Sequence, residues 1–225
     1  MHSTYHDFLR FVFREMRDAY PNILILAELF SDFDTVKKLS VECGVNLLMG
    51  TPWGEKYVPG LRKYLAHIHR VGGHVRYLTP LNSHDSGAPA EEYGSNLSIP
   101  PRYVTMALFG LPYTGLCEGA EVGVLKKVPF IGRDTAPIVD LKHPVADHRD
   151  FIQKVNQIQD EYSAFGEVNN VTFIDGEHIA IIAILRKAPR PTDPDFILLA
   201  NFDILQPQTL KLDLAKCNID LSKQN

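Results

Sequence analysis

The feature that most constrains this chain is an alternation. Four short apolar runs, at 23–27, 45–49, 74–78 and 113–117, are separated by longer amphipathic stretches. Residues 4–19 place Tyr5, Phe8, Leu9, Val12, Phe13 and Met16 at helical spacing, with Ser3 or Thr4 as the expected cap, and Pro21 stops the helix. Ser31 or Asp32 is expected to cap a second helix that runs through Val36, Leu39 and Val41 to Gly44. A third spans 59–71 before Gly72-Gly73, a fourth spans 101–109, and a charged helix is expected over 145–163. The run 23–27 is wholly apolar and bounded by turn residues, as a strand buried on both faces is. Such a rhythm predicts a parallel sheet with right-handed crossovers. The connections after the strands lengthen at 80–98 and 118–143, while most turns back into strands stay tight. That asymmetry favours a (β/α)8-type barrel, in which function sits on the loops that follow the strands. A doubly wound open sheet is the alternative, and no GxGxxG follows any of the strands.

The texture changes at about residue 166. The runs 171–174 and 179–185 flank Asp175-Gly176, a hairpin compatible with a type I′ turn. Two further strands are expected at 196–202 and 209–214, with a proline-rich stretch at 188–194 between them. The expected organisation is therefore four β/α units over 1–164 and a small, incomplete all-β domain over 166–225. Four parallel strands do not close a barrel, so the sheet edge calls for more chain or a second one.

Composition narrows the function. The formal charge is −4 with both signs dispersed, which gives no basic stripe for nucleic acid. Cys43, Cys117 and Cys217 are odd in number and widely spaced, so neither a disulfide framework nor a zinc-ligand pattern is read. No apolar run approaches the roughly 18 residues of a membrane span, and residues 1–20 lack a signal-peptide core. Read as complete, the chain is expected to be cytoplasmic.

Three segments carry a resemblance. The run 23–30, ILILAELF, is an apolar strand ending in a glutamate. The run 77–85, YLTPLNSHD, is an apolar strand followed by His-Asp. The run 107–123, ALFGLPYTGLCEGAEVG, holds a Gly-x-Pro turn and a later Gly-x-Glu-x-Gly. In this order they resemble the fifth, seventh and eighth strand motifs of the alpha-amylase superfamily, glycoside hydrolase family 13. The resemblance implies the second half of a TIM (β/α)8 barrel followed by the C-terminal β domain. It further implies retaining hydrolysis or transglycosylation of α-glucosidic bonds in an α-glucan or maltooligosaccharide. It makes Glu28 the general acid/base and Asp85 the carboxylate that supports the transition state, with His84 and Asn82 on the sugar. It implies no cofactor; a structural Ca²⁺ occurs in some relatives, mainly through segments this chain lacks. The family's Asn-His-Asp reads here as Ser83-His84-Asp85, with Asn82 displaced by one, and nothing matches the fourth-strand motif that bears the nucleophile. The missing N-terminal half-barrel, or a second chain, is the implied partner at the open edge.

The residues also admit plainer roles. Retaining chemistry needs two carboxyl groups roughly 5 Å apart, one of them kept protonated by its surroundings. Glu28 ends a run apolar enough to desolvate it, yet a glutamate there also serves as a cap or ion-pair partner. His84-Asp85 lies among turn formers. Trp53 and Tyr57 are placed to stack on a sugar, and a loop tryptophan equally covers a barrel end. Glu118 and Glu121 are expected to orient their loop. His67 and His69, two apart on a helix, do not form a metal pair. The competing functions are a non-catalytic truncated barrel that binds glycan or a partner protein, and an unrelated hydrolase with a metal at His84 and Asp85.

Overall fold

The computed structural model describes residues 3–127, 129 and 139–212. Helix α1 (Ser3–Ala19) leads into strand β1 (Leu26–Ala27), then α2 (Phe33–Cys43), β2 (Leu47–Met49), α3 (Val58–Val71) and β3 (Tyr77–Leu78). Asp32, not Ser31, caps α2. Its carboxylate accepts the Thr35 amide at 3.0 Å, and Gly44 ends the helix at φ 73°. The three strands pair in parallel in the order β1-β2-β3, Leu26 against Leu47 and Leu48 against Tyr77. The ladder is shorter than the apolar runs suggest. Asn46 explains part of this, because its side-chain oxygen takes the Ile25 amide at 2.9 Å while the Asn46 amide goes to the Ile25 carbonyl.

The expected burial on both faces does not hold. Ile25, Leu48 and Val75 pack under α2 and α3 with Val36, Leu39 and Val71. Leu24 and Leu26 alternate to the opposite face and are exposed, because no described residue covers that side. Among the described residues no sheet closes into a barrel.

The 80–98 connection holds a short helix, α4 (Pro89–Tyr93), and a 3₁₀ turn at Asn96–Ser98. Helix α5 (Ile99–Val104) starts two residues before the expected 101 and widens into a π turn over Thr105–Phe109, closed by the Gly110 amide on the Thr105 carbonyl. The run 113–117 lies along the continuation of β3, in the same direction. The Thr79 amide bonds Tyr113 O and the Leu81 amide bonds Gly115 O, both at 2.8 Å. It forms no full ladder, because the Thr114 hydroxyl occupies the Thr79 carbonyl at 2.9 Å. Helix α6 (Arg149–Glu161) is shorter than predicted at both ends; Tyr162 turns extended and a 3₁₀ turn follows at Ser163–Gly166.

Strands β4 (Val171–Phe173), β5 (Ile181–Arg186) and β6 (Phe196–Asn201) form an antiparallel sheet in that order. The Asp175 turn is a reversal with Gly176 and Glu177 at its centre, both at positive φ, as a type I′ turn requires. Residues 209–212 are not a strand, and 213–214 lie outside the described residues. The second sheet is continuous in packing with the first region: Ile182, Ile184 and Ala200 share one core with Leu61, Leu65, Tyr103, Phe109 and Phe165.

Two arginines tie these layers. Arg62 of α3 meets Asp175 at 3.0 Å and also donates to the His178 carbonyl at 2.7 Å. Arg186 of β5 is fully buried, and its guanidinium donates only to backbone carbonyls: Leu108, Gly110, Ala164, Phe165 and Glu167. The carbonyls that end the π turn are orphans of a helix terminus. Gln159 takes that of Ala107 at 2.7 Å, Arg186 takes those of Leu108 and Gly110, and His69 takes that of Phe109 at 2.7 Å. Side chains from α6, β5 and α3 thus fix where the chain leaves for Pro112 and the run 113–117.

Candidate active site

Parallel pairing puts everything that follows a strand at one edge of the sheet. Glu28 follows β1, Trp53 and Tyr57 follow β2, 79–85 follows β3, and Cys117–Glu121 follows the fourth extended run. In parallel α/β folds this edge carries the chemistry.

Glu28 corrects the sequence reading in one respect. It is exposed, not desolvated by its apolar strand. The reason is the open face: Glu28 alternates with Leu24 and Leu26, away from the helices.

The run 82–87 is a constructed turn. The Asn82 side chain is buried, and its oxygen accepts the Cys117 amide at 3.0 Å, which clamps this loop to the next. Ser83 and Ser86 bond each other's backbone, the Ser86 hydroxyl taking the Ser83 amide at 2.9 Å and the Ser83 hydroxyl taking the Ser86 amide at 3.3 Å as well as the Asp85 amide at 3.2 Å. This arrangement lifts His84 and Asp85 to the apex. Both are exposed, with Nε2 and Oδ2 3.5 Å apart. At that exposure the pair adds little to stability, and its geometry is set by the serines beneath it. Lys127 reaches the Asp85 carbonyl at 3.0 Å from the following loop.

A cavity of about 220 Å³ opens behind this turn, between Asn82, Ser83 and His84 on one side and Cys117, Glu118 and Lys127 on the other. Glu28, Asp85, Trp53 and Tyr57 do not line it. Burial pushes the Cys117 thiol up, against an opposing pull from Lys127, so the wall there is a neutral thiol. Trp53 is half-buried in the 3₁₀ turn Pro52–Gly54, and Tyr57 stands exposed just before α3. Glu121 accepts the Gly119 amide at 2.9 Å, a loop-orienting contact.

Several positioning residues were not legible as such. Glu92 accepts the Gly87 amide at 2.8 Å and pairs with Lys56 at 3.0 Å; the amide bond is the main reason its carboxyl is held below the usual range. Arg102 is buried, lies 3.6 Å over the Tyr93 ring, and donates to the carbonyls of Glu55 and Lys56. Together they brace the loop after β2 against the loop after β3. Gly50, at the end of β2, is required by contact: a Cβ there would collide with the Tyr64 hydroxyl and sit 2.8 Å from the Leu78 carbonyl. Only a single arginine or glutamate marks such braces in a sequence, and no spacing rule singles it out.

Among the described residues no group of three or more His, Cys, Asp or Glu side chains is arranged to hold a metal ion. His67 and His69 diverge as expected. His69 is buried on the Phe109 carbonyl, while His67 packs edge-on to Phe33. No helix among the described residues is long and apolar enough to cross a membrane.

No family model matches this chain, and no curated protein matches it. Solved structures do. The alpha-amylase from H. orenii aligns with 88% of this chain at 13% identity and a TM-score of 0.67, through 47% of its own length. AmyP, solved in complex with maltose, aligns with 88% at 13% identity and a TM-score of 0.64, through 51% of its length. The alpha-amylase from Geobacillus thermoleovorans, complexed with acarbose, aligns with 81% at 14% identity and a TM-score of 0.61, through 43% of its length. The structural neighbours are alpha-amylase family enzymes, and this chain shares their fold. It spans about half the length of the structures it matches.

Proposed function

We propose that this chain is the second half of an alpha-amylase-type (β/α)8 barrel, with the β-sheet region after it, and that it serves retaining hydrolysis or transglycosylation of α-glucosidic bonds. The observation that carries this reading is the shared edge: Glu28, Trp53, Tyr57 and the His84–Asp85 apex all follow parallel strands on a fold that matches alpha-amylases over most of the chain. The maltose and acarbose bound by two of those neighbours support a maltooligosaccharide as the substrate class.

In this proposal Glu28 protonates the leaving glycosidic oxygen and then activates water or an incoming sugar hydroxyl. Asp85 and His84 hold sugar hydroxyls as charge develops on the ring, and Trp53 or Tyr57 stacks on a sugar face. Asn82 acts one step back, by clamping the His84–Asp85 turn to Cys117. The nucleophile belongs to a strand beyond these residues. A proton-donating glutamate needs a raised pKa, which requires that the open face be covered. The exposure of Glu28 therefore favours a second reading for the 225 residues alone, a non-catalytic half that binds glycan or a partner.

The test uses both forms. The purified chain is expected to show no turnover of maltoheptaose. In an enzyme completed by the nucleophile-bearing half, Glu28→Gln should cut hydrolysis of a natural glucan by about 10²–10⁴-fold. It should largely spare the first step on an α-glycosyl fluoride, whose leaving group needs little protonation. Asp85→Asn should lose both activities. Turnover by the isolated chain that Glu28→Gln abolishes, or a mechanism-based ester recovered on Glu28 or Asp85, would overturn these roles.

A further inference from the structure

Two loops at the candidate edge, 51–57 after β2 and 82–87 after β3, share one anchor outside the site. Arg102 of α5 is 5% exposed. Its guanidinium donates to the Glu55 carbonyl at 3.0 Å and to the Lys56 carbonyl, and so grips the backbone between Trp53 and Tyr57. The same group lies 3.6 Å over the Tyr93 ring, and the Phe202 ring, just after β6, is 5.5 Å away. Tyr93 ends α4, and that short helix holds both ends of the second loop. The Tyr93 hydroxyl donates to the Leu81 carbonyl at 3.3 Å, and Glu92 accepts the Gly87 amide at 2.8 Å. Lys56 closes the circuit on Glu92 at 3.0 Å.

A guanidinium suits this place. It is planar, so its face stacks on a ring while its edge donates to two carbonyls at once. The Lys56–Glu92 pair, with the lysine half-exposed, adds little by itself. The spacing of the two loops therefore rests mainly on the buried cation. None of its contacts named above involves the side chain of Trp53, Tyr57, His84 or Asp85. Groups held at a fixed spacing reward a ligand long enough to meet both, because the second contact is then made at high effective concentration. A ligand that touches one loop gains nothing from the spacing. We infer that Arg102 is a positioning residue that keeps the Trp53–Tyr57 loop in register with the His84–Asp85 turn, and that it thereby favours α-glucan chains long enough to span both loops over short ones. This rests on the sugar roles proposed above for those four residues. Through Phe202, the second sheet contributes to the same register.

Trp53 is the only tryptophan in the chain, so its emission reports occupancy of the first loop. The intact 225-residue chain is titrated with maltose and with maltoheptaose. Arg102→Met should raise the Kd for maltoheptaose by about tenfold and that for maltose by less than about twofold. Arg102→Lys keeps a charged donor but not the planar stack, so it should restore part of the difference; if Arg102→Met does not fold, the same ratio is read on Arg102→Lys, with about a threefold change expected. In a second measurement, hydrogen exchange without sugar, Arg102→Met should speed the amides of 53–57 and 83–87 and leave those of 182–185 protected. An equal loss for both sugars, with faster exchange at 182–185 as well, would overturn the inference by reducing Arg102 to general support of the fold. Unchanged maltoheptaose affinity, or unchanged exchange in both loops, would overturn it by showing that the anchor does not set the spacing. A parent chain whose Trp53 emission responds to neither sugar would overturn the sugar roles themselves and this inference with them, whereas failure of the inference alone leaves parental binding intact.

Discussion

Replacing Arg186 with methionine keeps much of the side-chain volume and removes every hydrogen bond it makes. Five carbonyls, on Leu108, Gly110, Ala164, Phe165 and Glu167, lose this donor; that of Ala164 keeps the Asn170 side-chain amide at 2.8 Å, and that of Glu167 is only part-buried. At roughly 1.5 kcal/mol for each bond to a charged donor, the gross loss is about 8 kcal/mol. Part is offset, because the charge itself is costly to bury. Desolvation pulls the guanidinium down to about 10, which corresponds to about 3 kcal/mol that methionine recovers. The net expectation is a destabilisation of about 4–5 kcal/mol, in the range reserved for broken buried networks. With a urea dependence of about 2 kcal/mol/M, the unfolding midpoint should fall by about 2 M, followed by far-ultraviolet circular dichroism at pH 7. Arg186→Lys should fall between, because an ammonium offers three donors from one point and does not span carbonyls on two segments. A midpoint for Arg186→Met within about 0.3 M of the parent would refute the reasoning, since the five carbonyls would then have found other partners.

Two further outcomes are expected. Burial, with the Arg186 charge beside it, holds His69 down at about 4, although its bond to the Phe109 carbonyl pulls the other way. The unfolded chain takes up a proton near pH 6.5 and the folded chain does not, so stability should be flat above that pH and fall by about 3 kcal/mol as pH drops toward 4. Urea midpoints between pH 7.5 and 4.5 should show this slope, and His69→Gln, which keeps a donor for Phe109, should remove that share of it. Gly50→Ala should lower stability by about 2 kcal/mol through overpacking against Tyr64 and the Leu78 carbonyl. Adding Tyr64→Phe should recover only part of the loss in a thermal melt, because the carbonyl cannot move aside.

What the sequence determined by itself is the local alternation and its punctuation. Apolar runs too short for helices, Asp32 before a helix and Gly44 after one, and the Asp175-Gly176 reversal all act within a few residues, so their physics is written in adjacent letters. The same holds for the order of the three motifs, which anticipated the alpha-amylase fold. What only the tertiary structure decided depends on which groups meet from far apart. Leu24 and Leu26 read as doubly buried because an apolar run does not say whether a second layer exists. Arg186 drew no notice next to the expected strand 179–185, yet it terminates helical segments 19 to 78 residues away. Asn82 read as a sugar ligand, and its oxygen is committed to the Cys117 amide 35 residues on. Glu28 lies at the predicted strand end, but its exposure follows from the lack of any described residue opposite β1, and desolvation is a property of the surroundings that no residue carries in its own name.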